Sequence, residues 1–270
     1  MTPNHEFSGK TAVVTGAARG IGRVIAQKLG EQGARLIIAD INPELGQQTV
    51  QEFRKKGFST DLIEIDLSAA AAGVELVQRT VSLTGSLDLL VNNARAGKRV
   101  DLLEESEANW DQTVTVGLKA AFFAAQEAIR QMSKKGGGAI VNIASVAGIL
   151  ATNESPSYHA AKAGLVQLTR YLATAGGPHR VRVNCVLPGL IVQEQHRDRF
   201  ESKNNEPYRD LATFYQPLGY VGTEEDVAEA VIYLGSPRAR YVSGACLVLD
   251  GGATVQEQFG MLLRQLNSKS

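Results

Sequence analysis

The chain is poor in cysteine, balanced in charge and without any long apolar run. Its 270 residues include two cysteines, Cys185 and Cys246, each within an apolar stretch. That pattern predicts small buried hydrophobes instead of a disulfide staple or a metal site, in a reducing compartment. Twenty-eight basic residues cancel 28 acidic ones to a net charge of zero. No overall field therefore draws nucleic acid or an anionic membrane, and neither is expected as a partner. No apolar run approaches the roughly 20 residues that span a bilayer, and the opening MTPNHEFSGK has no apolar segment of the signal-peptide kind. These absences predict a soluble, cytoplasmic protein. Repeats, low-complexity tracts and long linkers are also missing, so residues 1–270, 44% hydrophobic, are expected to form one domain.

What the chain does have is alternation. Thr11 to Thr15 (TAVVT) reads as a buried strand, the glycine-rich GAARGIG follows at Gly16 to Gly22, and a helix from Arg23 to Gln32 leads to a second strand, Arg35 to Ala39, closing on Asp40. Further helices are expected at about 43–56, 69–83, 110–134, 157–174 and 224–234, the last one capped by Thr223 with Asp226. Further strands are expected at 59–65, 87–91, 139–144, 181–186 and 246–249. This is the strand, helix, strand order of an α/β protein with parallel strands. In the long helix Val114, Leu118, Ala121, Phe122 and Ala125 keep helical spacing and read as core. Between residues 190 and 220 the periodicity dissolves among charges, aromatics, Pro207 and Pro217. That segment reads as a lid or substrate loop, or as a disordered insertion.

Gly16, Gly20 and Gly22 stand between a strand and a helix, where glycine lets a pyrophosphate approach the backbone and the helix N-terminus favours its charge. An acid, Asp40, lies eighteen residues beyond Gly22 at the end of the next strand. A carboxylate there suits the ribose hydroxyls and repels a 2′-phosphate, which favours NAD over NADP. Asp40 could instead cap the approach to the next helix, and Arg19 in the turn is a counterweight that could pair with a 2′-phosphate.

Tyr158 and Lys162 are four apart, so on a helix they share a face. An ammonium beside a phenol favours phenolate and lowers a pKa that is otherwise about 10, which makes Tyr158 a candidate acid/base. Ser145 would add a hydroxyl from the end of the preceding strand. Tyr and Lys at this spacing also occur on ordinary solvated helix faces, so the pair is suggestive only with the rest of the chain.

With TGAARGIG at Thr15, Asp40, Asp66-Leu67, NNA at Asn92, Ser145, YHAAK at Tyr158 and PG at Pro188 in order, the chain resembles the short-chain dehydrogenase/reductase family from Lys10 to Gly252. The resemblance implies a doubly wound, Rossmann-like single domain with a seven-stranded parallel sheet. It implies that Tyr158 exchanges a proton with the substrate oxygen during hydride transfer to or from the nicotinamide. Lys162 would lower the phenol pKa and bind the nicotinamide ribose, and Ser145 would hydrogen-bond the substrate oxygen. The implied cofactor set is Gly16, Arg19, Gly20, Ile21, Gly22, Asp40, Ile41, Asp66, Leu67, Asn93, Ala94, Tyr158, Lys162, Pro188, Gly189 and Ile191, with Asp66 and Leu67 at the adenine, Asn93 and Ala94 at the adenosine ribose and 188–191 at the carboxamide. No metal is implied.

Three positions depart from the family pattern. Gly117 stands where the family has a catalytic asparagine, and a glycine there could still bend the helix and offer its carbonyl. The proton relay is then expected to be weakened or rebuilt. Arg95 replaces the glycine of NNAG, and Gln193 stands where many members have threonine. Arg95, Lys98 and Arg99 suggest a cationic rim for a carboxylate- or phosphate-bearing substrate, against the plain alternative of a solvated loop. His159 faces away from its neighbour and is not expected to be catalytic, while Asp250 is expected to cap the turn after the closing strand. The tail at 253–270 carries Phe259, Met261, Leu262, Leu263 and Leu266, too apolar for water, which with the family habit predicts a homo-oligomer, tetramer or dimer. The leading expectation is an NAD-dependent oxidoreductase that interconverts a small secondary alcohol and a ketone by hydride transfer. The competing one is a dinucleotide-binding sensor or scaffold with its chemistry lost.

Overall fold

The computed structural model describes residues 5–267. Its strands are β1 (Thr11–Thr15), β2 (Arg35–Asp40), β3 (Thr60–Glu64), β4 (Leu89–Asn92), β5 (Gly138–Ile143), β6 (Val181–Pro188) and β7 (Cys246–Leu249). They pair in parallel in the order β3-β2-β1-β4-β5-β6-β7. β1 is buried over its whole length, as a central strand covered on both faces must be. The expected doubly wound α/β architecture with seven parallel strands is therefore present.

The helices are α1 (Gly20–Glu31), α2 (Pro43–Lys55), α3 (Ala72–Thr84), α4 (Glu107–Val114), α5 (Ala120–Ser133), α6 (Pro156–Gly176), α7 (Glu194–Glu201), α8 (Glu206–Tyr215), α9 (Glu224–Gly235) and α10 (Gln258–Asn267). Strand residues alternate between two cores, as the two-residue period requires. Ala12, Val14, Leu36 and Ile38 pack with Ile25, Leu29, Phe53, Val227 and Val231 from α1, α2 and α9. Val13, Ile37 and Leu90 pack on the opposite face with Leu76, Ala125, Met132 and Leu172 from α3, α5 and α6. Each fully buried leucine or isoleucine contributes about 1.5–3 kcal/mol relative to leaving it in water.

Four expectations need correcting. The segment 190–220 is not irregular, because α7 and α8 lie within it. α7 buries no residue, so it has no apolar period to read. Pro207 stands in the first turn of α8, where the missing N–H costs nothing. The helix expected at 110–134 begins earlier and is interrupted by a π-helical turn, Thr115–Lys119, around Gly117. Within it the Ala120 amide donates to Thr115 O, five residues back. A further helix, α10, follows β7, with Phe259, Leu262, Leu263 and Leu266 exposed. Cys185 is buried but its register partner Cys246 is only half-buried, and both are free thiols. The expected cap of α9 is present as a full capping box between Thr223 and Asp226. Asp250 accepts from the amides of Gly252 and Thr254, at 2.9 and 2.7 Å, as a turn cap should.

Candidate active site

Because every strand runs the same way, their carboxyl ends share one edge, and the strand order reverses between β1 and β4. Open α/β sheets form a ligand crevice at such a switch point. In the β1–α1 turn Gly16 and Gly20 adopt φ of 63° and 56°, in the left-handed region. A Cβ on Gly16 would stand 3.0 Å from the Ala94 backbone, and one on Gly22 would collide with Gly16 O. No side chain caps the start of α1, so its first-turn amides remain open to a ligand. Asp40 Oδ2 accepts from the Ala18 amide at 2.9 Å and Oδ1 from the Asn42 amide at 3.0 Å. Its carboxylate therefore braces the glycine turn and keeps free lone pairs, so the cap and ribose readings are compatible.

A cleft of about 550 Å³ opens over this edge. Its wall runs from Gly16, Arg19, Gly20, Ile21 and Gly22 through Asp40, Ile41, Asp66 and Leu67 to Asn93, Ala94 and Arg95. Asn93 contributes shape more than a free amide, since Nδ2 donates to Thr15 O and Gly16 O at 2.9 and 3.2 Å. Pro188, Gly189 and Ile191 lie outside this wall, at the end of β6. There the Gly189 amide donates to Leu249 O at 2.9 Å and Ile191 bridges to Gly222.

β5 delivers Ser145, and the first turn of α6 delivers Tyr158 with Lys162 one turn later. Burial, the largest influence, raises the Tyr158 pKa above its ordinary value. Hydrogen bonding from Ser145 and the positive charge of Arg95 pull it back down, and the Glu154 carboxylate opposes them. Lys162 is 4% exposed, and its Nζ donates to Ile143 O at 2.7 Å. Burial, helped by the Arg95 charge, lowers its pKa to about 8. The expectation of a lowered phenol pKa is corrected in direction, since burial outweighs the groups that lower it, while Lys162 stays beside the ring. Its ammonium is turned to a β5 carbonyl, 5.5 Å from the Tyr158 ring centroid, and the groups that favour phenolate are Ser145 and Arg95.

His159 is structural. Its Nε2 accepts from the Thr152 amide at 2.9 Å, which leaves Nδ1 to donate to Ser155 O, also at 2.9 Å. Two acids escaped the sequence reading. The Glu105 carboxylate accepts from the Ser157 amide at 3.1 Å and from Asn109 at 2.5 Å, tying the loop after β4 to α6. Glu224, 2% exposed, receives the Glu194 amide and so fixes the start of α7. Gln193, Gln195 and His196 then line the cleft, with the Gln193 side chain against Gly20. Glu105 and Glu224 carry no sequence signal beyond an acid near a helix start.

A family model described as Enoyl-(Acyl carrier protein) reductase matches residues 16–254. The L-rhamnose 1-dehydrogenase (NAD(P)(+)) of Azotobacter vinelandii is 35% identical over 254 residues, covering 92% of this chain and 98% of that protein. The chain belongs to the short-chain dehydrogenase/reductase family. It is an oxidoreductase of the kind that acts on CH–OH groups. A protein of Sinorhizobium meliloti assigned as a short-chain alcohol dehydrogenase superposes with a TM-score of 0.85 at 33% identity, covering 94% of this chain and 100% of that one. A protein of Beutenbergia cavernae, assigned as an NAD(P) dependent gluconate 5-dehydrogenase and solved with bound NADP, superposes at 0.84 with 30% identity, covering 94% and 100%.

Against the short-chain dehydrogenase/reductase pattern, Gly117 now has a definite setting. It sits in the π turn, and a Cβ there would meet only the Ala161 side chain, at 3.6 Å. Beside it, a cavity of about 10 Å³ is lined by Thr15, Asn92, Val116 and Gly117. The helix is interrupted by a π turn at this glycine, and a Cβ there would meet no clash.

Proposed function

We propose that this protein is an NAD-dependent dehydrogenase/reductase that interconverts a secondary alcohol and a ketone, with Tyr158 as the general acid and base. The observation that carries this reading is the convergence of Ser145, Tyr158 and Lys162 on the sheet edge that holds the glycine turn. The residues present fit a dinucleotide: a Cβ at Gly16 or Gly22 would fill the cradle, and Asp40 faces the cleft with its carboxylate braced. When bound, the nicotinamide supplies or accepts the hydride.

Tyr158, its pKa raised by burial, holds its proton at neutral pH and can donate it to a carbonyl oxygen. Ser145 donates a second hydrogen bond to that oxygen, and a preorganised donor of this kind contributes about 3 kcal/mol to the barrier. Lys162 places a positive charge behind the phenol and can hold ribose hydroxyls. Arg95 supports the proton step by favouring phenolate when Tyr158 must act as a base.

Asp40 supports NAD, because a carboxylate there repels a 2′-phosphate. The bound NADP of the Beutenbergia protein favours a second reading, in which exposed Arg19 takes that phosphate. The rhamnose and gluconate named for the relatives support a small hydroxylated substrate. The exposed apolar side of α10 supports a homo-oligomer.

Fluorescence titration with NADH and NADPH, followed by a screen of alcohols and ketones, tests the proposal. Tighter NADH binding, with turnover abolished in Tyr158→Phe, is the expected result. Tighter NADPH binding would assign the second cofactor, and cofactor binding without turnover across a broad panel would move the protein to the sensor reading.

A further inference from the structure

The loop after β4 carries three cations, and they are not equivalent. Arg99 approaches the Glu154 carboxylate at 3.8 Å, so each satisfies the other. Arg95 has no carboxylate within ion-pair distance among the described residues. Its guanidinium carbon stands 5.8 Å from the centre of the Tyr158 ring, and its charge acts on the Tyr158 hydroxyl. Arg95 is exposed, and the surface it exposes lines the cleft. A guanidinium without an ion-pair partner is thus held beside the phenol assigned to the proton transfer.

The loop that presents it is anchored. Asn109 grips the backbone of Lys98 from both sides, accepting from its amide at 2.6 Å and donating to its carbonyl at 3.1 Å. The same Asn109 donates to Glu105, whose other oxygen takes the Ser157 amide, one residue before Tyr158. Gly97, at φ 83°, turns the chain against Thr113 where a side chain would collide. The phenol and the guanidinium are therefore referred to one frame, as a positioned contact requires.

We propose that Arg95 is the anchor for a carboxylate on the substrate, and that the protein acts on short hydroxy acids and the corresponding oxo acids. This rests on the proposed function only in placing the substrate oxygen between Ser145 and Tyr158. A guanidinium beside the phenol is also within reach of a group one or two carbons from the reacting carbon. Its planar pair of N–H donors matches the two oxygens of a carboxylate at about 2.8 Å. Pairing with the substrate also draws the guanidinium from the phenol, so its pull toward phenolate weakens. Tyr158 then keeps its proton more firmly, ready to donate it to an oxo acid.

The test is calorimetric titration of the purified protein, with and without saturating NADH, using pyruvate and acetoacetate against pyruvamide and acetoacetamide, with inorganic phosphate as a third probe. At least one acid is expected to bind tenfold or more tightly than its amide. Arg95→Ala should remove that difference, weakening the acid far more than the amide, and Arg95→Lys should restore part of it. Equal binding of acid and amide, or equal weakening of both by Arg95→Ala, would overturn the proposal. Phosphate binding tenfold tighter than either acid, and dependent on Arg95, would also overturn it in favour of a phosphorylated substrate. Failure of NADH to bind, with acid selectivity still dependent on Arg95, would sink the dehydrogenase reading and leave the anchor standing.

Discussion

A glycine at residue 117 and a lysine at residue 162 show how single side chains set the balance between chemistry and stability. A Cβ added at Gly117 would make only an ordinary contact with Ala161, the neighbour of Lys162. Gly117→Asn is expected to fold normally and to raise kcat several-fold with little change in cofactor KM, as steady-state kinetics would show. An unchanged kcat would mean that the chain relays protons without that amide. Lys162 is a buried ammonium whose pKa falls from 10.5 to about 8 on folding. Between those values the unfolded chain binds the proton and the folded chain does not, so this residue's contribution to stability rises with pH from about 8 to about 10.5. Below pH 8 the folded protein carries the cost of the buried charge. Lys162→Met should therefore abolish turnover yet raise Tm at pH 7, and the gain should shrink between pH 8 and 10. A lower Tm at pH 7 would show that the hydrogen bond to Ile143 O outweighs the burial of charge.

At the scale of elements, α9 does more than pack under the sheet. Its first residue, Glu224, takes the Glu194 amide with both carboxylate oxygens and is favoured by the helix N-terminus it occupies. Glu224→Ala should loosen α7 and raise cofactor KM several-fold, with Tm changed by only a few degrees; an unaltered KM would mean that α7 does not touch the cofactor. That link was invisible in the sequence because it joins residues thirty apart through a backbone amide. The strands were legible because TAVVT, LIIAD and AIVNI have no polar alternation, which is what burial on both faces demands. The glycine turn, Asp40, Ser145, Tyr158 and Lys162 were legible because spacing along elements fixes which side chains meet. α7 and α8 were not, since one is polar all round and the other opens on a proline that reads as a break. The direction of the Tyr158 shift was missed because its largest cause is burial, which spacing does not report.

At the scale of the whole molecule, α10 presents Phe259, Leu262, Leu263 and Leu266 to its surroundings, and Val255 precedes it. If this face is covered by a second copy, Leu262→Glu combined with Leu266→Glu should lower the mass measured by light scattering. An unchanged mass would place the subunit contact elsewhere. The strand order has a consequence in time as well as in space. β1 must wait for β4, its neighbour across the switch point, and Ala12 faces Leu89 only after 77 residues of chain have been made. Closing so long a loop is slow, and the contacts of β2 with β1 and β3 can form first. A nascent chain that has reached β4 already owns the glycine turn, Asp40 and Asn93, but not Ser145, Tyr158 or Lys162. The half of the crevice built by the glycine turn can thus take shape before the half that carries the proposed acid/base residues, so its folding is a separate and earlier event.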